Sequence, residues 1–246
     1  AGARGGFRYG NTELADAIIK DGLWCAFDAC LMGLGTERYT AGGISREEQD
    51  EFSAASHQRA ASAAKNGLFD DEITPVEVPQ RKGDPLVVSE DEGERGDTTA
   101  ESLGKLRPAF DKAGNITAGN ASQISDGGAA VVLMSKAKAD ELGLAPLAEV
   151  VGYGQVAGPD ASLLHQPSNA IEAALARAGK SVSDVDLFEL NEAFAAVGIA
   201  SMRDLGISAD ITNVNGGAIA IGHPLGMSGA RITATLQTPK GLVEIH

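Results

Sequence analysis

The sequence is poor in cysteine. Its 246 residues contain two, Cys25 and Cys30, and no histidine stands near them at the spacing of a metal ligand, which excludes a zinc site and a disulfide scaffold. Such cysteine usage is typical of a reducing compartment, so we expect a cytoplasmic location. Both residues fall in a segment for which we predict a helix. There they would point to different faces as small buried or semi-buried fillers.

Basic residues are also scarce, with 20 against 34 acidic residues and a net charge of −14. This balance argues against nonspecific nucleic-acid binding and against an anionic membrane surface. No uninterrupted apolar run has membrane-spanning length and no basic-then-apolar leader is seen, although a start at Ala1 leaves a removed targeting sequence open. A phosphate-bearing ligand would need a local basic patch. The basic residues that could form this patch are Arg81, Lys82, Arg95, Lys105, Arg107 and Lys112. The alternative is that they are ordinary solvated surface charges.

What is abundant is apolar material, at 43% of the residues, which is enough to bury a real core. From residue 146 onward, strand-like and helix-like segments alternate, which predicts a largely parallel sheet covered by helices. The predicted strands are residues 147–156, 185–190 and 211–214, and the predicted helices are residues 168–178, 193–205 and 227–236.

Upstream of residue 146 the pattern is less regular. Apolar spacing predicts a helix over residues 12–27, and Ser45 with Glu48 forms a capping box for a helix that runs to about Ala64. Residues 70–102 are predicted to be an irregular excursion. The continuous apolar run of residues 129–134 predicts a buried strand, and a helix over residues 135–142 follows it.

A glycine-rich run at residues 213–226 presents a single histidine, His223. We interpret it as an apolar strand that breaks into glycines, where the backbone turns and approaches a ligand closely, followed by a helix. The run lacks the spacing of a dinucleotide-binding fingerprint. The alternative is a structural histidine in a glycine-rich loop.

Asn191 occupies a second switch from strand to helix, between residues 185–190 and the helix that follows. If both strands are parallel members of one sheet, their carboxyl ends lie on the same edge, and Asn191 and His223 converge. An amide and an imidazole in that position can hold a water or polarise a carbonyl oxygen. The alternative for Asn191 is a helix N-cap.

With these two segments, NEAFA at residues 191–195 and GGAIAIGHPLG at residues 216–226, the chain resembles the thiolases, the acetyl-CoA acetyltransferase family. Further similar blocks are GARGGFR at 2–8, ISREEQD at 44–50, KLRPAF at 105–110 and TAGNAS at 117–122. The blocks keep the family order up to about Leu236. The resemblance implies an α/β, thiolase-like layered fold with a parallel-rich sheet covered by helices, incomplete, plus an inserted loop domain. Residues 1–120 would be the loop domain, 121–145 the last strand and helix of the N-terminal half, and 146–246 the truncated C-terminal half.

The resemblance also implies the chemistry, which is acetyl transfer between acyl-CoA thioesters by Claisen condensation or thiolysis in fatty acid metabolism. His223 would activate a nucleophilic cysteine and Asn191 would hold a water in an oxyanion hole. Coenzyme A or acyl-CoA is the implied substrate, with no covalently bound cofactor and no metal, and the family suggests a homo-oligomer, a dimer or tetramer. The residues implied to line the channel for coenzyme A and the acyl group are Leu23, Met32, Arg95, Ser102, Phe110, Ala118, Gly119, Ser122, Ala193 and Phe194.

The chain also departs from the family pattern. Neither of the family's catalytic cysteines has a counterpart, Leu31 replaces a histidine found in many thiolases, and residues 163–167 replace a segment usually rich in small residues. We therefore predict no turnover by this chain alone, and an unfinished sheet that exposes apolar surface or acquires a partner. The alternatives are a non-catalytic acyl-CoA-binding or scaffold protein and a cysteine hydrolase that pairs Cys25 or Cys30 with His165 or His246.

Overall fold

The computed structural model describes residues 2–7, 9–40, 43–236 and 243–245. Residues 237–242 and His246, the latter named in the hydrolase alternative, lie outside the described ranges. Nine α-helices are present in these ranges: α1 Gly2–Gly5, α2 Met32–Thr40, α3 Arg46–Lys65, α4 Ala100–Gly104, α5 Lys136–Leu142, α6 Gln166–Ala178, α7 Ala195–Leu205, α8 Ala218–Ile221 and α9 Ser228–Thr235.

The strands are short and form three pairs. They are β1 Trp24–Cys25, β2 Cys30–Leu31, β3 Val76–Val78, β4 Leu86–Val88, β5 Ala148–Val150 and β6 Val243–Ile245. The pairs β1–β2 and β3–β4 are antiparallel, whereas β5 and β6 are parallel. A parallel bridge between Phe188 and Thr212 joins two further extended segments.

Helix α3 is the longest helix of the described residues, and it packs against α4, α7 and α8. It begins at the predicted capping box, in which the Glu48 amide donates to Ser45 Oγ at 3.2 Å and the Ser45 amide donates to Glu48 Oε2 at 2.9 Å. The backbone bond from Ser45 is the main reason that the pKa of Glu48 lies below its usual value. The predicted helix is therefore confirmed, to Lys65.

The apolar core lies where α7 meets the loop ahead of α3 and the loop ahead of α6. Its buried members are Ile44, Leu164, Ala196, Val197, Ile199 and Ala200, with Phe52, Leu163 and Phe194 packed against them. Helices α5, α6 and α7 end at residues 142, 178 and 205 as predicted, each followed by a glycine in the left-handed region, Gly143, Gly179 and Gly206. In the ranges that the structure describes, no helix is both long and apolar enough to cross a bilayer.

Several predicted elements are wrong, and the strands predicted over residues 185–190 and 211–214 are reduced to the bridge between Phe188 and Thr212. Residues 12–27 do not form one helix, because a π-helical turn over Ile18–Leu23 leads directly into β1. Residues 129–134 form no strand and are exposed, because no other described segment pairs with them. The strand expected over residues 147–156 is reduced to the three residues of β5.

Candidate functional site

Asn191 and His223 lie next to each other, with Asn191 Nδ2 3.2 Å from His223 Nε2. The parallel pairing of residues 188 and 212 brings them together: the Phe188 amide donates to the Ile211 carbonyl, and the Asn213 amide donates to the Phe188 carbonyl. The predicted convergence is thus observed. The route to His223 differs from the expectation, however, because residues 218–221 form helix α8 rather than a strand.

The imidazole of His223 is held at both nitrogens. Its Nδ1 lies 2.6 Å from Ser228 Oγ, and that hydroxyl donates its hydrogen to the Pro224 carbonyl at 3.1 Å. The network is satisfied when Nδ1 carries the proton and donates to Ser228, while Nε2 accepts from the Asn191 amide. The neutral ring therefore turns the lone pair of Nε2 toward Asn191.

The surroundings of His223 favour the neutral ring. Partial burial lowers its pKa below the ordinary value, and the positive charge of Arg231 lowers it further. The backbone is fixed as well, because the His223 amide donates to the Gln123 carbonyl at 3.1 Å. A neutral, oriented imidazole is suited to accept a proton from a nearby acid.

The side chain of Asn191 is satisfied on one side only. Its Nδ2 faces His223, whereas its Oδ1 is buried without a hydrogen-bond partner among the described residues. Asn191 does not cap the following helix, because the N-cap of α7 is Phe194 and the Ala195 amide donates instead to the Asn120 carbonyl at 2.9 Å. The N-cap alternative for Asn191 is therefore wrong.

Glu192 organises the site, and sequence reasoning missed it. The carboxylate is 1% exposed and accepts from Ser56 Oγ at 2.6 Å, from Asn213 Nδ2 at 2.8 Å and from the Ile219 amide at 3.1 Å. It thereby joins α3, the turn after the second extended segment and the start of α8. Burial raises its pKa. No local pattern predicts this role, because all three partners are distant in sequence.

Glycines make room for these contacts. At Gly217 a side chain would collide with the Glu192 carboxylate, and at Gly222, with φ of +92°, a side chain would collide with Ser125. The glycine run therefore serves close packing around the carboxylate and the left-handed turn before His223.

A buried contact between Glu189 and Arg231 lies behind the site. Glu189 Oε2 is 3.8 Å from Arg231 Nη1, and their side chains are 3% and 12% exposed. Burial raises the pKa of Glu189 to about 8, against the opposing effect of Arg231. Since Glu189 precedes Asn191 and Arg231 shares α9 with Ser228, this pair connects the two segments that carry the site.

Several predicted channel residues adjoin the site. The Ser122 amide and hydroxyl both donate to the Ala193 carbonyl, each at 3.1 Å. The ring of Phe194 stacks edge-on against Phe110 with centroids 6.2 Å apart. The ring of Phe110 covers Gly33, the residue after Met32.

The remaining channel candidates lie on three other segments. Leu23 follows Gly22, where an added Cβ would be 2.9 Å from Leu225 Cδ1, so this segment borders the loop after His223. Ala118 and Gly119 occupy the turn that Thr117 and Asn120 close. Ser102 uses its hydroxyl in the cap of α4, and Arg95 is exposed, like the other basic candidates.

Neither cysteine nor His165 joins the site. His165 Nδ1 lies 2.7 Å from Asp204 Oδ2, between α6 and α7. Cys25 and Cys30 are paired across β1 and β2, which corrects the prediction that both lie on one helix. Their sulfur atoms contact the Asp28 amide and Arg38. In the described part of the chain, no group of His, Cys, Asp and Glu side chains is arranged to hold a metal.

Comparisons with known proteins agree with this geometry. Residues 1–137 match the family model of the thiolase N-terminal domain, and residues 144–239 match that of the thiolase C-terminal domain. The chain belongs to the thiolase family, and its α/β architecture is the thiolase-like fold, incomplete relative to the solved structures below.

A probable acetyl-CoA acetyltransferase of Mycolicibacterium smegmatis is 57% identical over 94% of this chain and 60% of its own length. The crystal structure of the Bacillus anthracis acetyl-CoA acetyltransferase superposes with a TM-score of 0.89 at 43% identity, over 96% of this chain and 59% of that one. The crystal structure of the human mitochondrial 3-ketoacyl-CoA thiolase superposes with a TM-score of 0.87 at 42% identity. The match covers 95% of this chain and 59% of that one. The chain thus spans about 60% of the length of the curated relatives that it matches.

Proposed function

We propose that these residues supply the histidine and asparagine part of a thiolase-type acyltransferase site, which transfers acetyl groups between acyl-CoA thioesters by Claisen condensation or thiolysis. The observation that carries the proposal is the 3.2 Å contact between Asn191 Nδ2 and His223 Nε2, which follow the two parallel-paired segments, His223 by way of α8. The names of the relatives, acetyl-CoA acetyltransferase and acyltransferase, support it.

His223 would act as the base of the nucleophilic step. With Nδ1 donating to Ser228, the basic nitrogen is Nε2, whose lone pair faces the Asn191 amide and would take the proton of a cysteine thiol in place of that hydrogen bond. The thiolate then attacks the thioester carbonyl, and coenzyme A leaves as the acyl group moves to sulfur. After proton uptake, Nε2–H becomes a donor that can face the oxyanion of the tetrahedral intermediate.

Asn191 would serve the second oxyanion hole. Its unpartnered, buried Oδ1 is an acceptor that a water molecule can satisfy, and that water can donate to a thioester oxygen. Because the Asn191 amide is already anchored to His223, the water would be held in a fixed orientation. Such preorganised donors stabilise developing negative charge without rearrangement.

Coenzyme A would approach over the surface formed by the β1–β2 hairpin, Phe110 and residues 118–122, where Gly119 and the exposed Ala118 leave the backbone accessible. We propose that the phosphates are met by exposed basic side chains, Arg95 among them. We also propose that the ten channel residues line the path of coenzyme A and the acyl group, and that the domains meet at residues 120 and 145. A cytoplasmic location, a role in fatty acid metabolism and a homo-oligomeric state are likewise proposed.

We propose that this chain alone binds acyl-CoA without turning it over. The site needs a thiol within reach of His223 Nε2, but Cys25 and Cys30 lie on the hairpin and contact Asp28 and Arg38 instead. Their placement favours the second candidate function, a non-catalytic acyl-CoA-binding or scaffold protein, for the isolated chain.

Incubation with acetoacetyl-CoA and free coenzyme A, followed by chromatography of the thioesters, tests both proposals. Saturable binding by calorimetry without acetyl-CoA formation is the expected result. Binding should weaken in His223→Ala and Asn191→Ala and stay unchanged in the control His165→Ala. Acetyl-CoA formation would overturn the proposed inactivity, and absence of any binding would overturn the acyl-CoA site.

A further inference from the structure

Cys25 and Cys30, the two cysteines of the sequence, are directly opposite each other in the antiparallel pair β1–β2. Directly opposed residues in such a pair have Cα atoms roughly 4.5 to 5.5 Å apart. Disulfides span Cα separations of about 4.4 to 6.8 Å. Both thiols are free in this structure. We propose that this pair is a reversible oxidation site, in which a peroxide converts the two thiols to an intramolecular disulfide.

The surroundings give the two thiols different roles. Cys25 is partly exposed, and its sulfur accepts from the Asp28 amide at 3.4 Å. Cys30 is buried, and Arg38 Nη1 donates to its sulfur at 3.7 Å. An oxidant from solution therefore meets Cys25 first. Cys30 is shielded from it but faces Cys25 across the strand pair.

The chemistry follows the usual order for a peroxide-oxidised pair. The Cys25 thiolate attacks one oxygen of hydrogen peroxide, forming a sulfenic acid, and the other oxygen leaves as hydroxide and becomes water. The Cys30 thiolate then attacks the Cys25 sulfur, the S–S bond forms, and the sulfenic hydroxyl leaves as a second water. Two thiols have lost two electrons and two protons, and the peroxide has been reduced to two water molecules.

The hairpin geometry favours closure within one chain. Residues 26–29 form the connecting turn, and Ala29 has φ of +49°, the left-handed conformation that closes such turns. The partner thiol is already in register, so little backbone movement is needed. Gly22 and Gly33, which flank the hairpin, pack on Leu225 and Phe110, so the bond would stiffen a segment next to the His223 loop.

The experiment uses the full chain, treated with hydrogen peroxide, quenched, alkylated without reduction and weighed intact. We expect loss of two hydrogens, no alkylation, and one cross-linked peptide containing both cysteines, all reversed by dithiothreitol. Cys25→Ser and Cys30→Ser should each lose the internal cross-link. Trp24, the single tryptophan and the neighbour of Cys25, provides a local signal, since its emission should fall on oxidation of the wild type and stay unchanged in both variants.

Two results would overturn the inference. One is a wild-type chain that still takes up two alkyl groups after a peroxide dose that oxidises the single cysteine of Cys30→Ser. The other is a disulfide that forms only between two chains, as shown by a doubled mass and a dependence on protein concentration. Neither result bears on the acyl-CoA proposal, because the thiol readout requires no coenzyme A.

Discussion

Residues 186–236 and residues 123–156 both contain apolar runs predicted to be strands, yet only the first region buries them. Phe188 and Leu190 are buried beside the parallel bridge to Thr212. Val132 and Leu133 are 85% and 75% exposed, and no described backbone group bonds to residues 129–134. The difference shows that an apolar run becomes a strand only where a neighbouring segment supplies the hydrogen bonds and the cover.

The first region is also held by buried polar groups, which the second lacks. Glu192 joins three elements there, and Asn213 clamps Leu190 through two bonds, accepting from its amide at 2.7 Å and donating to its carbonyl at 2.8 Å. These bonds fix the register of the segment that ends at Asn191. The same rigidity orients the candidate site.

The largest effect should come from Glu192→Ala, which leaves Ser56, Asn213 and the Ile219 amide without their acceptor. Each buried unsatisfied group costs about 1 to 3 kcal/mol, so we expect a loss of about 5 kcal/mol in the free energy of unfolding. Urea denaturation measures it. Glu192→Gln keeps one acceptor oxygen and should lose clearly less; equal losses in the two variants would contradict the hydrogen-bond explanation.

The buried Glu189 should make the stability of the first region depend on pH. Its folded-state pKa of about 8 lies above the usual 4.5 of the unfolded chain, so its contribution is fully present below about pH 4.5 and is lost as the pH rises to about 8. Between pH 5 and 8, the titration of this group alone lowers the free energy of unfolding by on the order of 4 kcal/mol. Urea denaturation of Glu189→Gln should show a correspondingly flatter profile. Parallel profiles for the two proteins would show that Glu189 is ionised throughout.

A matched pair of truncations compares the two regions directly. Ile199→Ala removes buried core volume and should cost about 3 kcal/mol, whereas Leu133→Ala should change the free energy of unfolding by less than about 0.5 kcal/mol. Leu133→Lys should also reduce self-association in light scattering, because residues 129–134 present an exposed apolar surface. A large destabilisation by Leu133→Ala would mean that residues 129–134 are covered in solution.

An effect smaller than that of Ile199→Ala is expected from Ser228→Ala, which removes the acceptor for His223 Nδ1. One hydrogen bond contributes about 1 kcal/mol, so Ser228→Ala should still fold, with its free energy of unfolding lower by that amount. Chemical denaturation measures it. Ser228→Thr keeps the hydroxyl and is the matched control, which should behave like the wild type.

Local signals predicted much of the fold. The capping box of Ser45 and Glu48 and the helix ends at Gly143, Gly179 and Gly206 depend on a few neighbouring residues, and all were found. Long-range contacts decided the rest. Residues 218–221 look strand-like, but Ser56 Oγ accepts from the Gly217 amide and Glu192 Oε2 accepts from the Ile219 amide, and the segment forms a helix. The cysteines were predicted to lie on a helix, whereas the turn at residues 26–29 pairs them across two strands.

For the candidate site, the order of strands and helices was enough to predict that Asn191 and His223 converge. It could not predict the partners that orient them. Ser228, Gln123 and Glu192 act through bonds that span from five to more than a hundred positions of sequence, and no periodic pattern marks them. Burial, which lowers the pKa of His223, likewise depends on the assembled structure.

The central claim is that Asn191 donates to Nε2 of a neutral His223 whose proton lies on Nδ1. Nitrogen-15 NMR of the histidine side chains, with His223 assigned through His223→Gln, measures this directly. We predict a neutral ring with its proton on Nδ1 near pH 7 and a pKa below the ordinary histidine value of about 6.5. We also predict that the Nε2 resonance shifts in Asn191→Ala. A ring with the proton on Nε2, or an Nε2 resonance that Asn191→Ala leaves unchanged, would contradict the account.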